Sequence, residues 1–213
     1  MIDTILPDRV VFREAFGDEP EAVLFAEETA LVTHAVDKRR REFTTGRHCA
    51  RAALALLGFP PAPILKGERG APVWPPGVVG SITHCAGYRA AAVSVDVLSI
   101  GIDAEPALPL PDGILETISL PGERDMLTRL GGGQPWDRLL FSAKESVYKA
   151  WFPLARRRLD FADARIGIDP DGGFTARLLV PGPHVGEAEL RGFTGRWLVA
   201  DGLLMTAVTV PGH

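Results

Sequence analysis

Cysteine is scarce. Cys49 and Cys85 are the two in 213 residues, and they are not spaced as CxxC. This argues against a disulfide framework and for free thiols in a reducing compartment. Cys85 follows His84, but a zinc site needs about four ligands and no others are spaced to join this pair. Apolar runs are short, and none approaches the roughly 18 residues of a membrane span. The N-terminal stretch also lacks the basic-then-apolar pattern of a secretion signal. The expectation is a soluble, cytoplasmic protein.

Positive charge is in deficit as well. Lys and Arg number 23 against 27 Asp and Glu, a net charge of −4, which removes any global reason to expect nucleic acid. No GxxxxGK[ST] loop is present, so any phosphate must be held by side chains. What is abundant is ordinary globular material: 46% hydrophobic and 23% charged residues, enough for one large domain or two small ones sharing a core. The basic residues are clustered, however. "KRRRE" (Lys38 to Glu42), continued by Arg47 and Arg51, and "RRR" (Arg156 to Arg158) form two islands. One such island is ordinary solvated surface; two in a short acidic chain favour an anionic ligand or partner.

Apolar spacing predicts helix from about Glu27 to Leu57, broken near Val36–Asp37, with Gly58 as its stop. Residues 59–77 hold six prolines and three glycines, a long loop with extended pieces. "VVGSITHC", "RAAAVSV" and "SIGIDAEP" read as successive strands. Shorter helices are expected near 114–119 and 122–130, and a stronger one from Trp136 to Phe152. The tail, 164–210, alternates as strands. Helices and strands are grouped, which predicts an α+β fold of two similar halves, residues 1–98 and 99–213, meeting near Ser99.

In "SIGIDAEP" alternation sends Gly101, Asp103 and Glu105 to one face, the acids ~7 Å apart. The pair suits Mg²⁺, which takes oxygen ligands and substrate phosphate. Two solvated acids on an exposed edge explain it slightly better when it is taken alone. The helix "FSAKESVYKAWF" shifts that balance. Glu145 and Lys149 are four apart on one face, with Tyr148 beside them and Lys144 further round, on a helix too apolar to be wholly exposed. His84 ends a strand among hydrogen-bonding and turn-forming neighbours. Lys66 lies in the Pro-rich loop, and helical geometry groups Arg40, Arg47 and Arg51, with Arg39 further round. These residues describe a Mg²⁺-assisted phosphoryl-transfer or phosphate-ester site. A Mg²⁺-dependent nuclease or phosphohydrolase using the same carboxylates is the rival reading.

Three blocks, "GSITHCAGYRAAAVS", "IGIDAEP" and "FSAKESVYKAW", with "KRRREFTTGRHCARAAL" and "ILKGERGAPVWP" upstream, resemble the two-domain 4′-phosphopantetheinyl transferases of the enterobactin-synthase and actinobacterial type. The resemblance runs from about Asp37 to Asp160. It implies a monomeric α+β enzyme with coenzyme A bound between two pseudo-symmetric halves. The phosphopantetheine arm goes to a serine of an apo carrier protein of polyketide, nonribosomal-peptide or fatty-acid synthesis, and adenosine 3′,5′-bisphosphate leaves. On this resemblance Asp103, Glu105 and Glu145 hold Mg²⁺, and Glu145 is the candidate base. His84 and Lys149 contact the pyrophosphate with Lys144 nearby. Arg39 and Arg47 hold the 3′-phosphate, and Lys66 and Pro72 border the adenosine. Carrier proteins being acidic, Arg156–Arg158 is a candidate docking patch.

Overall fold

The computed structural model describes residues 1–212. The elements in chain order are β1 (Val11–Ala15), α1 (Ala26–Ala30), α2 (Asp37–Leu56), β2 (Val79–Cys85), β3 (Tyr88–Ser94), β4 (Val97–Pro106), α3 (Ile114–Ile118), α4 (Pro121–Leu130), α5 (Trp136–Ala155), β5 (Ala164–Asp169), β6 (Gly173–Leu178), the small hairpin β7 (His184–Val185) and β8 (Ala188–Glu189), β9 (Gly192–Ala200) and β10 (Leu203–Pro211). The expected helices and strands are present, and the architecture is α+β. Strand β1, which the sequence reading missed, is an addition.

Two helices of 20 residues each, α2 and α5, cover two antiparallel sheets ordered β1-β3-β2 and β4-β10-β9-β6-β5. Helix α2 starts with Asp37 in its first turn, which suits the helix dipole. It ends where Gly58 takes φ 82°. There Gly58 N–H donates to Ala55 O (3.0 Å) and Phe59 N–H to Leu54 O (3.1 Å), a Schellman stop that only a glycine closes without strain. Its buried side, Cys49, Ala50, Ala53 and Leu54, packs on Ala91 and Val93 of β3. The other face of β3, Tyr88, Ala90 and Ala92, packs with Ile100 and Ile102 of β4 and Met205 of β10. All seven residues of β3 are buried, and its middle, Ala90 to Val93, is apolar on both faces rather than alternating. Helix α5 lays Leu140, Ala143, Val147 and Trp151 on the larger sheet, against Ile166, Phe174, Leu204 and Val208.

The two sheets are joined by side chains. One edge of β4 pairs with β10. On the other, Ile102 N–H donates to Ser81 Oγ (3.1 Å) and Ala104 N–H to Thr83 Oγ1 (3.0 Å). Two hydroxyls of β2 thus satisfy a strand edge that would otherwise be buried unpaired. Helix α5 also lies unusually close on β4. A Cβ at Gly101 would stand 1.9 Å from Ser146 O and 2.7 Å from Ala150 N, and Ser99 Oγ donates to Ala150 O (2.7 Å). Gly101 therefore sets the distance between the strand carrying Asp103 and the helix carrying Glu145 and Lys149.

Candidate active site

A cleft of about 560 Å³ opens between α2 and β2 on one side and α5 on the other, roofed by residues 66–74 of the Pro-rich loop. Arg39, Arg47, Lys66, Pro72, His84, Glu145 and Lys149 all line it. Sequence positions from 39 to 149 are thus brought to one concave surface.

The α2 wall is cationic. Arg47 is buried, donates from Nε to Ile64 O (2.7 Å) and stacks 4.3 Å over the Phe43 ring. Lys66 Nζ stands 5.3 Å from the centre of the same ring, and Lys66 and Pro72 face each other in an isolated antiparallel bridge. Burial pushes Arg47 down to about 10. Burial, then Arg39 and Arg47, push Lys66 below the usual lysine range. Among the described residues Arg39, Arg47 and Lys66 have no carboxylate ion-pair partner. Two cations over one ring, with Arg39 lining the same wall and none of the three paired to a carboxylate, form a site that a polyanion would relieve.

Helical geometry explains which arginine enters. At about 100° per residue, Arg39 falls between Glu42 and Phe43, in line with Gly46, and those residues line the cleft. Arg40 lies beyond Arg47 on the rim, exposed, with Nη2 on Ala35 O (3.4 Å). The grouping of Arg40 with Arg47 is corrected accordingly. Arg51 leaves the group as well. It is bound to the fully buried Glu28 (2.7 and 2.8 Å), which also accepts from Ile64 N–H. Its role is to tie α2 to the loop.

His84 sits between Arg39, which touches Nε2, and Glu42, whose carboxylate is 3.5 Å from Nδ1. Burial, then Arg39, push it down to about 4, so the ring is neutral at pH 7. Nε2 then accepts from Arg39, and Nδ1–H faces Glu42.

Opposite, Lys149 Nζ donates to Asp103 Oδ1 (2.7 Å) and Ile102 O (2.9 Å). Asp103 Oδ2 is buried with no hydrogen-bond partner. Glu105 accepts from Arg138 Nη1 (2.9 Å), and Arg138 also grips Leu108 O and Pro109 O. Glu145 is half-buried and is raised by burial, then by Asp103; Glu105 is raised for the same two reasons. The carboxylates therefore feel one another, but each of two is held by a cation. Among the described residues no three His, Cys, Asp or Glu side chains form a ready metal cluster.

Lys144 is a correction. Its ammonium, buried on the far side of α5, pairs with Glu123 (2.9 Å) and donates to Phe161 O (2.6 Å) and Ala164 O (3.1 Å). All three protons are used, so it clamps α5 to α4 and β5 and has none left for a pyrophosphate. The basic run after α5 also divides. Arg156 lines the cleft, Arg157 stacks on Trp151 (4.9 Å), and Arg158 pairs with Asp160 (2.6 Å); the three do not form one patch. A second cavity of about 420 Å³ lies beyond Glu145, lined by Arg69, Lys144, Val147, Tyr148, Arg158, Leu159 and Phe161 among others. Residues missed in the sequence are Glu42, Phe43, Arg69 and Arg138. Phe43 carried only the signal of a core stripe, and Arg138 none.

Comparison with known proteins bears on this arrangement. A model of the 4′-phosphopantetheinyl transferase N-terminal domain matches residues 27–94, and one of the 4′-phosphopantetheinyl transferase superfamily matches 99–199. The 4′-phosphopantetheinyl transferase Svp of Streptomyces mobaraensis is 57% identical over 99% of this chain and 89% of its own. PptT of Mycobacterium tuberculosis is 48% identical over 99% and 98%. Enterobactin synthase component D of Escherichia coli K12 is 36% identical over 57% and 59%. The chain belongs to the 4′-phosphopantetheinyl transferase superfamily.

Proposed function

We propose that the cleft between α2 and α5 binds coenzyme A and presents its pyrophosphate to a serine of an apo carrier protein, with Glu145 as the base. The enzyme is a 4′-phosphopantetheinyl transferase. The observation that carries the assignment of ends is the asymmetry of the cleft: uncompensated cations around Phe43 on one wall, a half-buried carboxylate on the other.

Arg39, Arg47 and Lys66 take the 3′-phosphate, and Lys66 and Pro72 border the adenosine, so residues 1–98 hold the nucleotide end. Residues 99–213 supply the carboxylates. The pyrophosphate runs past His84 and Lys149, and the arm continues into the second cavity, which is entered beside Glu145 and Tyr148. A serine hydroxyl is a poor nucleophile at neutral pH. Glu145, raised by its surroundings, is a stronger base than an exposed glutamate and takes the serine proton. Lys149 and His84 offset charge on the departing phosphate, which leaves as adenosine 3′,5′-bisphosphate. A phosphate beside His84 favours its protonated form, so binding draws a proton onto the ring.

The donor set fits Mg²⁺. Asp103 Oδ2 is an unpartnered buried oxygen, and the negative charge of Asp103 already weighs on Glu105 and Glu145. Asp103, Glu105 and Glu145 would hold the ion, which when bound neutralises pyrophosphate charge and polarises the scissile bond. Carrier proteins of polyketide, nonribosomal-peptide or fatty-acid synthesis are the partners, and the enzyme acts as a cytoplasmic monomer.

The test is intact-mass measurement of apo carrier proteins incubated with the enzyme, coenzyme A and Mg²⁺. The expected result is a phosphopantetheine increment, abolished by EDTA and by Glu145→Ala. No increment on any of the three carrier classes overturns the reading.

A further inference from the structure

The two cavities share three lining residues, Arg69, Glu145 and Tyr148. If the nucleotide and pyrophosphate occupy one cavity and the arm the other, the phosphorus that changes partner lies at this junction. Arg69 is the cation common to both walls, and it stands on the loop opposite Glu145.

The backbone at Arg69 is unusual. It has φ 52° and ψ 23°, the left-handed region that side-chain-bearing residues seldom adopt. Gly70 follows at φ 81°, and Ala71 N–H donates back to Glu68 O (3.1 Å). This is a type I′ turn with arginine at the position that Asn, Asp or Gly normally fills. The described residues contain two other non-glycine positive-φ positions, and each has a local reason. Arg156 caps α5 and Asp201 precedes Gly202 in the β9–β10 hairpin. At Arg69 the reason is the turn itself, closed with Gly70 as Asp201 closes its own with Gly202, and the turn fixes where the side chain leaves the backbone.

The turn is also braced. Gly67 N–H donates to Ala71 O (2.7 Å) and Val73 N–H to Leu65 O (3.0 Å), and Lys66 pairs with Pro72. Residues 65–73 thus form a tied finger with Arg69 at its tip. Among the described residues its guanidinium has no ion-pair partner, and its side chain makes no hydrogen bond to the rest of the protein.

We propose that Arg69 is a further catalytic residue, the cation that contacts the transferring phosphoryl group at the junction of the two cavities. This rests on the transferase reading. In the step, the serine Oγ forms a bond to the arm's phosphorus as its proton passes to Glu145. The bond from that phosphorus to the bridging oxygen breaks, and the electron pair leaves with adenosine 3′,5′-bisphosphate. Charge grows on the equatorial and bridging oxygens as this happens. A guanidinium brought to those oxygens from the tip of the finger stabilises that charge.

The test is steady-state transfer to an apo carrier protein, with coenzyme A affinity measured separately, for Arg69→Gly, Arg69→Asn and Arg69→Lys. Gly and Asn both accept the left-handed turn, so these variants keep the finger; their melting temperature stays level or rises. The expected result is a kcat loss of about 100- to 1000-fold, with coenzyme A Kd and carrier KM within about threefold. Arg69→Lys is intermediate, and added guanidinium partly restores Arg69→Gly. Unchanged kcat, or a loss that saturating coenzyme A or carrier restores, overturns the proposal. A wild type that leaves every carrier unmodified removes the transferase reading itself. A wild type that transfers beside an equally active Arg69→Gly removes Arg69 alone.

Discussion

Replacing Arg47 by alanine probes the cationic wall most directly. The guanidinium is buried, held to Ile64 O and stacked on Phe43, so it is already desolvated before ligand arrives. A hydrogen bond from such a cation to a phosphate is worth ~1.5–3 kcal/mol. At 1.4 kcal/mol per tenfold, that is a loss of roughly 10- to 150-fold in affinity for coenzyme A. Effects on folding partly cancel: the variant leaves Ile64 O without this donor but relieves the crowding with Arg39 and Lys66 that already lowers the lysine. The discriminating ligand is 3′-dephospho-coenzyme A, which lacks the group Arg47 is assigned to. Calorimetric titration of both ligands into both proteins gives a four-member cycle whose coupling term isolates the Arg47–phosphate contact. Wild type should prefer coenzyme A, and Arg47→Ala should lose most of that preference while binding the dephospho form within about threefold. Equal weakening toward both ligands would refute the assignment and make Arg47 a general support of the wall.

Two further predictions concern α5. Glu145→Gln should lower transfer by about 100- to 10,000-fold yet raise the melting temperature of the ligand-free enzyme at pH 7.5. Its carboxyl is pushed above its ordinary 4.5, so the folded state holds this proton more tightly than the unfolded state does. Stability therefore falls as pH rises through and above 4.5, and the variant's advantage should vanish near pH 4; a lower melting temperature at pH 7.5 would contradict this. Lys144→Met breaks a buried pair and strands Glu123, which costs about 3–5 kcal/mol, or about 6–20 °C in melting temperature for a chain of this size. Coenzyme A affinity of the folded variant should stay within about threefold, whereas a large loss would return Lys144 to the ligand site.

Local pattern was enough for most of the elements, because their causes are local. The break before Asp37, the Gly58 stop and the α5 stripe are written in caps and spacing. The alternation in "SIGIDAEP" likewise places Asp103 on the α5 side of β4, and the motif blocks identify Glu145, Lys149 and His84. Strand β1 escaped notice because it is a half-buried edge of the smaller sheet, with too little alternation to stand out.

What a side chain touches is a different kind of information. Lys144 and Lys149 sit five residues apart on one helix, and the sequence says only that they face different ways. Yet α4 delivers Glu123 to the first, while β4 delivers Asp103 to the second. Arg47 and Arg51 share a face of α2, but Glu28 claims Arg51 from a segment more than twenty residues upstream. Arg69 lies in the block that drew attention to Lys66 and Pro72 but was not itself singled out; the folded loop sets it on the walls of both cavities with Glu145. The sequence by itself determined the α+β class, the positions of its helices and strands and the carboxylate–lysine chemistry. Tertiary structure alone decided which cations are neutralised and which keep no carboxylate partner, because ion pairing depends on distances that long-range packing sets.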